Sequence, residues 1–125
     1  MAPLDGIRVI DLSRVVSGPF CTMSLGDMGA DVIKVEPPRG GDDTRSWPPF
    51  YEGGESTYFQ SVNRNKKSVT MDLRDPRCKS AFENMVRTGD VLLDIHPPAE
   101  LKVEDHPDLP LDQLKGRRRD LLVDS

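Results

Sequence analysis

The chain has 125 residues, 36% hydrophobic and 30% charged, with a net charge of -4. That length suits one ordinary domain and not two large ones, and the acidic balance gives no electrostatic basis for a nucleic-acid partner. No run approaches the roughly 18 apolar residues that span a membrane, so no membrane association is expected. Two cysteines, Cys21 and Cys78, make neither a disulfide framework nor a zinc set. No metal is expected, and a reducing compartment, cytoplasmic or mitochondrial matrix, fits best. A matrix location would need a leader that the opening MAPLDGIRVIDLS does not show.

The run Ile7–Asp11 follows the turn pair Asp5-Gly6 and is β-branched enough to predict a first strand. Ser17-Gly18-Pro19 predicts a helix start, with Ser17 as the cap and Pro19 in the first turn. The helix is expected to reach about Met28, turn Phe20, Met23 and Leu25 or Met28 inward, and stop at Gly29. Asp31–Glu36 (DVIKVE) predicts a second strand, ended by Pro37-Pro38. Strand, helix of about a dozen residues and strand make the βαβ unit of a parallel α/β sheet.

Residues 37–55 hold four of the eleven prolines and predict a long loop. Loops of this length in compact domains are usually functional or disordered. A short helix over Glu55–Val62, a polar basic turn at Asn63–Lys67 and a third strand over Ser68–Leu73 follow. Asp75-Pro76 opens the next helix, with Cys78, Ala81, Phe82, Met85 and Val86 on one face and an end at Thr88-Gly89. Asp90–Asp94 (DVLLD) is the expected fourth strand. Residues 95–125 carry four prolines and no sustained period, and are expected to be an atypical, poorly ordered tail.

Three features can carry chemistry. The βα turn Asp11–Pro19 (DLSRVVSGP) lies where open α/β sheets receive phosphate, at a strand end and a helix N-terminus. It has no G-x-G-x-x-G and no Walker A pattern, so a dinucleotide or nucleoside triphosphate is not indicated, and an ordinary capped turn stays open. The basic set Arg39, Arg45, Arg64, Lys66, Lys67 and Arg74 clusters around turns and can meet a polyanion or simply face solvent. Trp47, Phe50, Tyr51, Tyr58 and Phe59 are five of the seven aromatics, suited to a pocket wall or to pinning the loop. Cys21 has no base beside it and reads as a buried structural thiol. His96 and His106 have no metal-ligand spacing, and no carboxylate pair is placed for acid–base work.

Two colinear blocks carry a resemblance. They are LDGIRVIDLSRVVSGPFCTMSLGDMGADVIKVEPP, from residue 4, and GGDDTRSWPPFYEGGESTYFQSVNRNKKSVTMDLRDP, from residue 40. Over residues 4 to about 94 the chain resembles the family III CoA-transferases of the CaiB/BaiF type, in their transferase branch. The long GGDDTRSWPPF insertion separates it from the racemase branch, so a racemase-like fragment is the weaker alternative. The resemblance implies a Rossmann-like parallel sheet, with residues 1–94 as the N-terminal coenzyme-A-binding portion of the large domain. It implies an interlocked homodimer in the full-length family, and acyl-CoA and a carboxylic acid as reactants, for example succinyl-CoA and glutarate. It places the contacts to CoA at Val16 and Ser17 in the first turn and at Met71, Asp72, Leu73 and Arg74 after the third strand. Arg39 stands near an arginine slot that here reads Pro37-Pro38, and Lys66 and Lys67 are secondary candidates.

The same resemblance marks departures. The family's Asn-Phe-x-Pro-Gly after the fourth strand is replaced by Ile95-His96-Pro97-Pro98-Ala99. The family's catalytic aspartate matches no residue of this chain, so no catalytic residue is assigned and the chain alone is expected to be inactive. A non-catalytic subunit that pairs with a full-length transferase is the alternative of another class.

Overall fold

The computed structural model describes residues 1–94; the expected tail at 95–125 lies outside them. Among the described residues four strands form one parallel sheet: β1 Arg8–Asp11, β2 Asp31–Glu36, β3 Lys66–Thr70 and β4 Val91–Leu93. Their order across the sheet is β3-β2-β1-β4. Val9 pairs with Val32 and Val91, and Val32 pairs with Lys66, so one row of side chains crosses the whole sheet. Helix α1 (Ser17–Asp27) joins β1 to β2, and α3 (Pro76–Thr88) joins β3 to β4. The α/β parallel architecture is the expected one.

Side chains alternate across a strand, and the two faces of this sheet differ. Ile10 and Val35 turn to one face and are buried with Phe82 and Val86 of α3, with Leu12, Ile33, Val69, Met85 and Leu92 packed around them. Val9, Val32 and Ala30 turn to the other face, against Leu25 of α1 and the N-terminal Leu4 and Ile7. Phe82 is 1% exposed.

Helix α3 follows its sequence closely. Asp75 caps it by accepting from the Arg77 N–H at 2.8 Å, and Pro76 occupies the first turn, where its missing N–H is no loss. Ala81, expected inward, is exposed, since the buried stripe narrows to Phe82 and Val86.

Helix α1 departs from expectation at both its cap and its buried face. Its N-cap is Val16, no side chain caps it, and Ser17 is its first helical residue. Met23 is buried as expected, but the other inward positions are Gly18, Pro19 and Thr22, while Phe20, Met28 and the thiol-bearing Cys21 are exposed. Small and polar residues face inward because the helix lies close to the sheet. A Cβ on Gly26 would come within 3.2 Å of the Asn65 carbonyl. The helix ends in a Schellman turn: the Gly29 N–H donates to Gly26 O at 3.0 Å and the Ala30 N–H to Leu25 O at 3.1 Å. Gly29 has φ +102°, and a Cβ there would lie 2.5 Å from that of Ala2.

β3 begins earlier than its sequence suggested. Lys66 and Lys67 belong to the strand, and Met71–Leu73 follow it. Asn65, at φ +61°, makes the turn that allows this.

The long loop is latched to the end of β2. Glu36 is 4% exposed. Its Oε1 accepts from the Asp42 N–H at 2.9 Å and Arg45 Nε at 2.7 Å. Its Oε2 accepts from Arg45 Nη2 at 2.7 Å and from the Ser68 hydroxyl. Asp42 caps a 3-10 turn over Asp43–Ser46. The Arg45 guanidinium carbon also lies 3.8 Å from the ring centre of Phe59 in the short helix α2 (Thr57–Ser61). Ser56 caps α2 and donates to the Trp47 carbonyl at 2.6 Å, and Trp47 packs on Tyr58 with ring centres 5.2 Å apart. Gly41, at φ +68°, leaves room for the latch, since its Cβ would meet Glu36 Oε1 at 2.7 Å.

Two expectations follow for stability. Phe82→Ala should lower the unfolding free energy of the chain by about 3–5 kcal/mol, by lost transfer energy and a cavity. Denaturant titration reads this, and a loss under about 1 kcal/mol would show that Phe82 is not the centre of its core. The second concerns Glu36. Burial pushes its carboxyl up, but Arg45, Ser68 and the Asp42 N–H outweigh that and hold it at about 2, against an ordinary 4.5. The unfolded chain binds the extra proton between those values, so stability is full above pH 4.5 and declines as pH falls toward 2. The change is on the order of 3 kcal/mol. Denaturation of wild type and Glu36→Gln at pH 7 and pH 3 should show a gap at neutrality that narrows in acid; a gap independent of pH would refute the latch.

Candidate functional site

Ligands of open parallel sheets bind beyond the carboxyl ends of the strands, at the point where the strand order reverses. Here the chain runs from β1 through β2 to β3 on one side and returns to place β4 on the other side of β1. The reversal lies between β1 and β4, and the Leu12 N–H donates to the Leu93 carbonyl there at 2.9 Å. The β1–α1 turn is therefore at the switch point. The sequence located this turn by its strand end and helix start.

Its backbone is unusual. Val15 has φ +69°, in the left-handed region that β-branched side chains avoid. Val16 and Ser17 are exposed at the start of α1, with no acidic residue in the first turn. A helix start with no side-chain cap and no acidic residue in its first turn presents N–H groups and the positive end of its dipole outward. Arg14, exposed in the same turn, adds a cation that the sequence reading passed over.

The other expected contacts also lie at carboxyl strand ends. Arg39 is exposed in the turn after β2. Met71 follows β3, and its N–H donates to the Glu36 carbonyl at 2.9 Å. Met71 and Leu73 are half-buried against the α3-side core. Asp72 is clamped on Arg74, accepting from its N–H at 3.1 Å, Nε at 2.9 Å and Nη2 at 3.1 Å. The Arg74 guanidinium in turn holds the Asp72 carboxyl below its usual range. Arg74 is thus partnered within its own turn, while Arg39 reaches into solvent.

The rest of the basic set is used internally or at the surface. Arg45 belongs to the Glu36 latch, Arg64 pairs with Asp27 at 2.7 Å, and Lys67 pairs with Asp31 at 2.6 Å near the amino ends of the strands. Lys66, a secondary candidate for a phosphate, is buried. Its ammonium donates to Asp11 Oδ2 at 3.1 Å, Pro19 O at 2.9 Å and Asn63 Oδ1 at 2.8 Å. These three bonds use all its donors. Burial pulls its pKa down, and the neighbouring Asp11 opposes that.

Lys66 belongs to a polar layer beneath the turn that the sequence reading missed. Asp11, Lys34 and Ser68 are in register across β1, β2 and β3, on the face toward α1. Asp11 Oδ2 accepts from the Thr22 hydroxyl at 2.5 Å, and Oδ1 accepts from the Ser13 N–H at 2.8 Å and from the Ser13 hydroxyl. Lys34 donates to Ser13 O at 2.8 Å, and its ammonium lies 2.8 Å from Asp42 Oδ2. Asp42 Oδ1 accepts from the Thr44 N–H at 3.0 Å, the Thr44 hydroxyl at 2.8 Å and the Val15 N–H at 3.4 Å. Burial pushes the Asp42 carboxyl up, and Lys34 and Thr44 more than reverse it. Alternation is the signal for this layer: Lys34 and Glu36 are charges two apart in an apolar strand, and Asp11 ends another. The arrangement pairs a buried polar layer with an open, cation-flanked turn, which suits a phosphate-bearing ligand.

The model of "CoA-transferase family III" matches residues 4–117. Succinyl-CoA:glutarate CoA-transferase of Mus musculus is 52% identical over 101 residues, covering 81% of this chain and 23% of that protein. The Homo sapiens protein of the same name is 50% identical over 99 residues, covering 79% and 23%. The chain thus spans about a quarter of the length of these relatives. A CAIB/BAIF family protein from Brucella suis, solved by crystallography, superposes with a TM-score of 0.79 at 37% identity, covering 92% of this chain and 30% of that one. A strand order that puts an open turn at the switch point, and a family match over most of the chain, lead to one assignment: this chain belongs to CoA-transferase family III.

Proposed function

We propose that residues 1–94 form the CoA-receiving portion of a transferase that moves CoA between carboxylic acids, from succinyl-CoA to a dicarboxylate such as glutarate. The carrying observation is the open β1–α1 turn at the switch point, in a chain of this family. Relatives named for glutarate, mesaconate and oxalate are 52%, 50% and 49% identical, which supports a dicarboxylate as the acid. In this reading Val16 and Ser17 offer the helix start to phosphate, Arg39 and Arg74 supply charge, and Met71, Asp72 and Leu73 line the adenosine side.

Acyl exchange between two acids proceeds well through a carboxylate nucleophile, because the covalent intermediate conserves the thioester energy. Asp11, Glu36 and Asp42 are buried in ion pairs and are not assigned that role. In our reading the nucleophile is no residue of this chain. Pairing of two transferase subunits also belongs to this proposal, and exposed Phe20, Phe50 and Tyr51 supply apolar surface for it. Among the described residues no helix is long and apolar enough to cross a membrane. Two free cysteines fit the reducing matrix or cytosol.

Calorimetric titration of the chain with CoA should give saturable heat. Arg39→Ala and Arg74→Ala should each weaken binding about fivefold, roughly 1 kcal/mol for a charge-assisted contact at an exposed site. A folded sample that gives no heat at millimolar CoA would sink the proposal. The same chain should exchange no acyl groups between succinyl-CoA and glutarate; exchange above background that Arg74→Ala abolishes would overturn the assignment of the nucleophile.

A further inference from the structure

We infer that Lys34 is a positioning residue: from beneath the sheet's carboxyl edge it sets the β1–α1 turn relative to the Gly40–Thr44 loop, and so the groups that meet the ligand. The ligand side of this inference rests on the CoA reading above; the conformational side does not.

Lys34 is 1% exposed and sits opposite Asp11 in the β1–β2 register. Its ammonium joins two segments that leave different strands, the turn after β1 and the loop after β2. One bond goes to Ser13 O, in the turn that precedes Val16 and Ser17, and the ion pair goes to Asp42, in the loop that follows Arg39. Asp42 closes the circuit by accepting from the Val15 N–H. Val15 at φ +69° is a conformation that a β-branched residue keeps only where its surroundings over-determine it. The surroundings here are these contacts, together with Ser13 on Asp11.

A stabilising role alone explains the pair poorly. Replacing a buried ion pair with apolar groups of similar volume is often neutral or favourable, since desolvation of both charges offsets their attraction. Lys66 already ties Asp11 to the start of α1 through Pro19 O, so helix anchorage does not need Lys34. What only Lys34 and Asp42 fix, among the described residues, is the turn against the loop.

The test uses the full 125-residue chain and two variants. Lys34→Met removes the ammonium at similar volume. Lys34→Met/Asp42→Asn also removes the carboxylate that the first change strands, and carries the test if the single variant fails to fold. The three-bond HN–Hα coupling and the intraresidue HN–Hα Overhauser intensity report the φ of Val15, and calorimetry reports CoA affinity. In folded variants Val15 should leave the left-handed region and CoA affinity should fall at least tenfold. Arg87→Ala, at the far end of α3, should change neither. A folded variant with Val15 unmoved and affinity within twofold of wild type overturns the inference. A wild type that binds no CoA, with Val15 still moving in the variants, overturns the CoA reading and leaves the positioning role standing.

Discussion

Asp11 and Lys34 lie side by side in the register of β1 and β2, where buried strands ordinarily carry aliphatic side chains. Burying charge is costly unless each group is paired and hydrogen-bonded. Asp11 with Lys66, Asp42 with Lys34 and Glu36 with Arg45 make three acids and three bases, so the layer balances in charge. Much of the surrounding chain follows from this constraint. Helix α1 presents Thr22 and glycine to the sheet because it must donate to Asp11 and come close. The loop after β2 folds back because Glu36 and Lys34 each need a partner it carries.

The layer also divides the sheet by function. Toward the amino ends the α1 face is apolar, with Val9, Val32 and Ala30, and holds the fold by burial. Toward the carboxyl ends it is polar and directional. Dispersion and hydrophobic contacts tolerate small shifts, whereas a lysine shared between a carbonyl and a carboxylate fixes distances within tenths of an ångström. A rigid polar floor under an open turn preorganises the turn's N–H groups, and preorganisation reduces the ordering cost of binding.

The sequence made much of this legible. The strand–helix–strand alternation, the Gly29 stop, the Asp75-Pro76 start and the parallel sheet all follow from local rules about turns, caps and period. Two misplaced details of α1 share one cause. Intrinsic preference turns Phe20 inward and makes Ser17 a cap, yet the sheet beneath the start of α1 is polar and close. Tertiary context decided both. Lys66 reads as part of a polar turn because a lysine is rarely buried, and the resemblance makes it a secondary candidate for the ligand. Only the register that places it near Asp11 and Pro19 reveals its use, and register is not written in a single strand.

Family membership and physical reading meet at the turn, and they bear on different things. Similarity over 101 residues says what the relatives do; it cannot say why valine occupies a left-handed position in this turn. The contacts around Ser13 and Val15 supply a reason internal to the chain. If glycine stood at Val15 the turn would relax freely and the floor would have little to hold. A β-branched residue there makes the conformation depend on Lys34 and Asp42, so the geometry of the open turn is borrowed from the buried charges below it. The acidic limit of the Glu36 latch then matters beyond stability, because the Asp42 N–H is one of the donors that Glu36 accepts from.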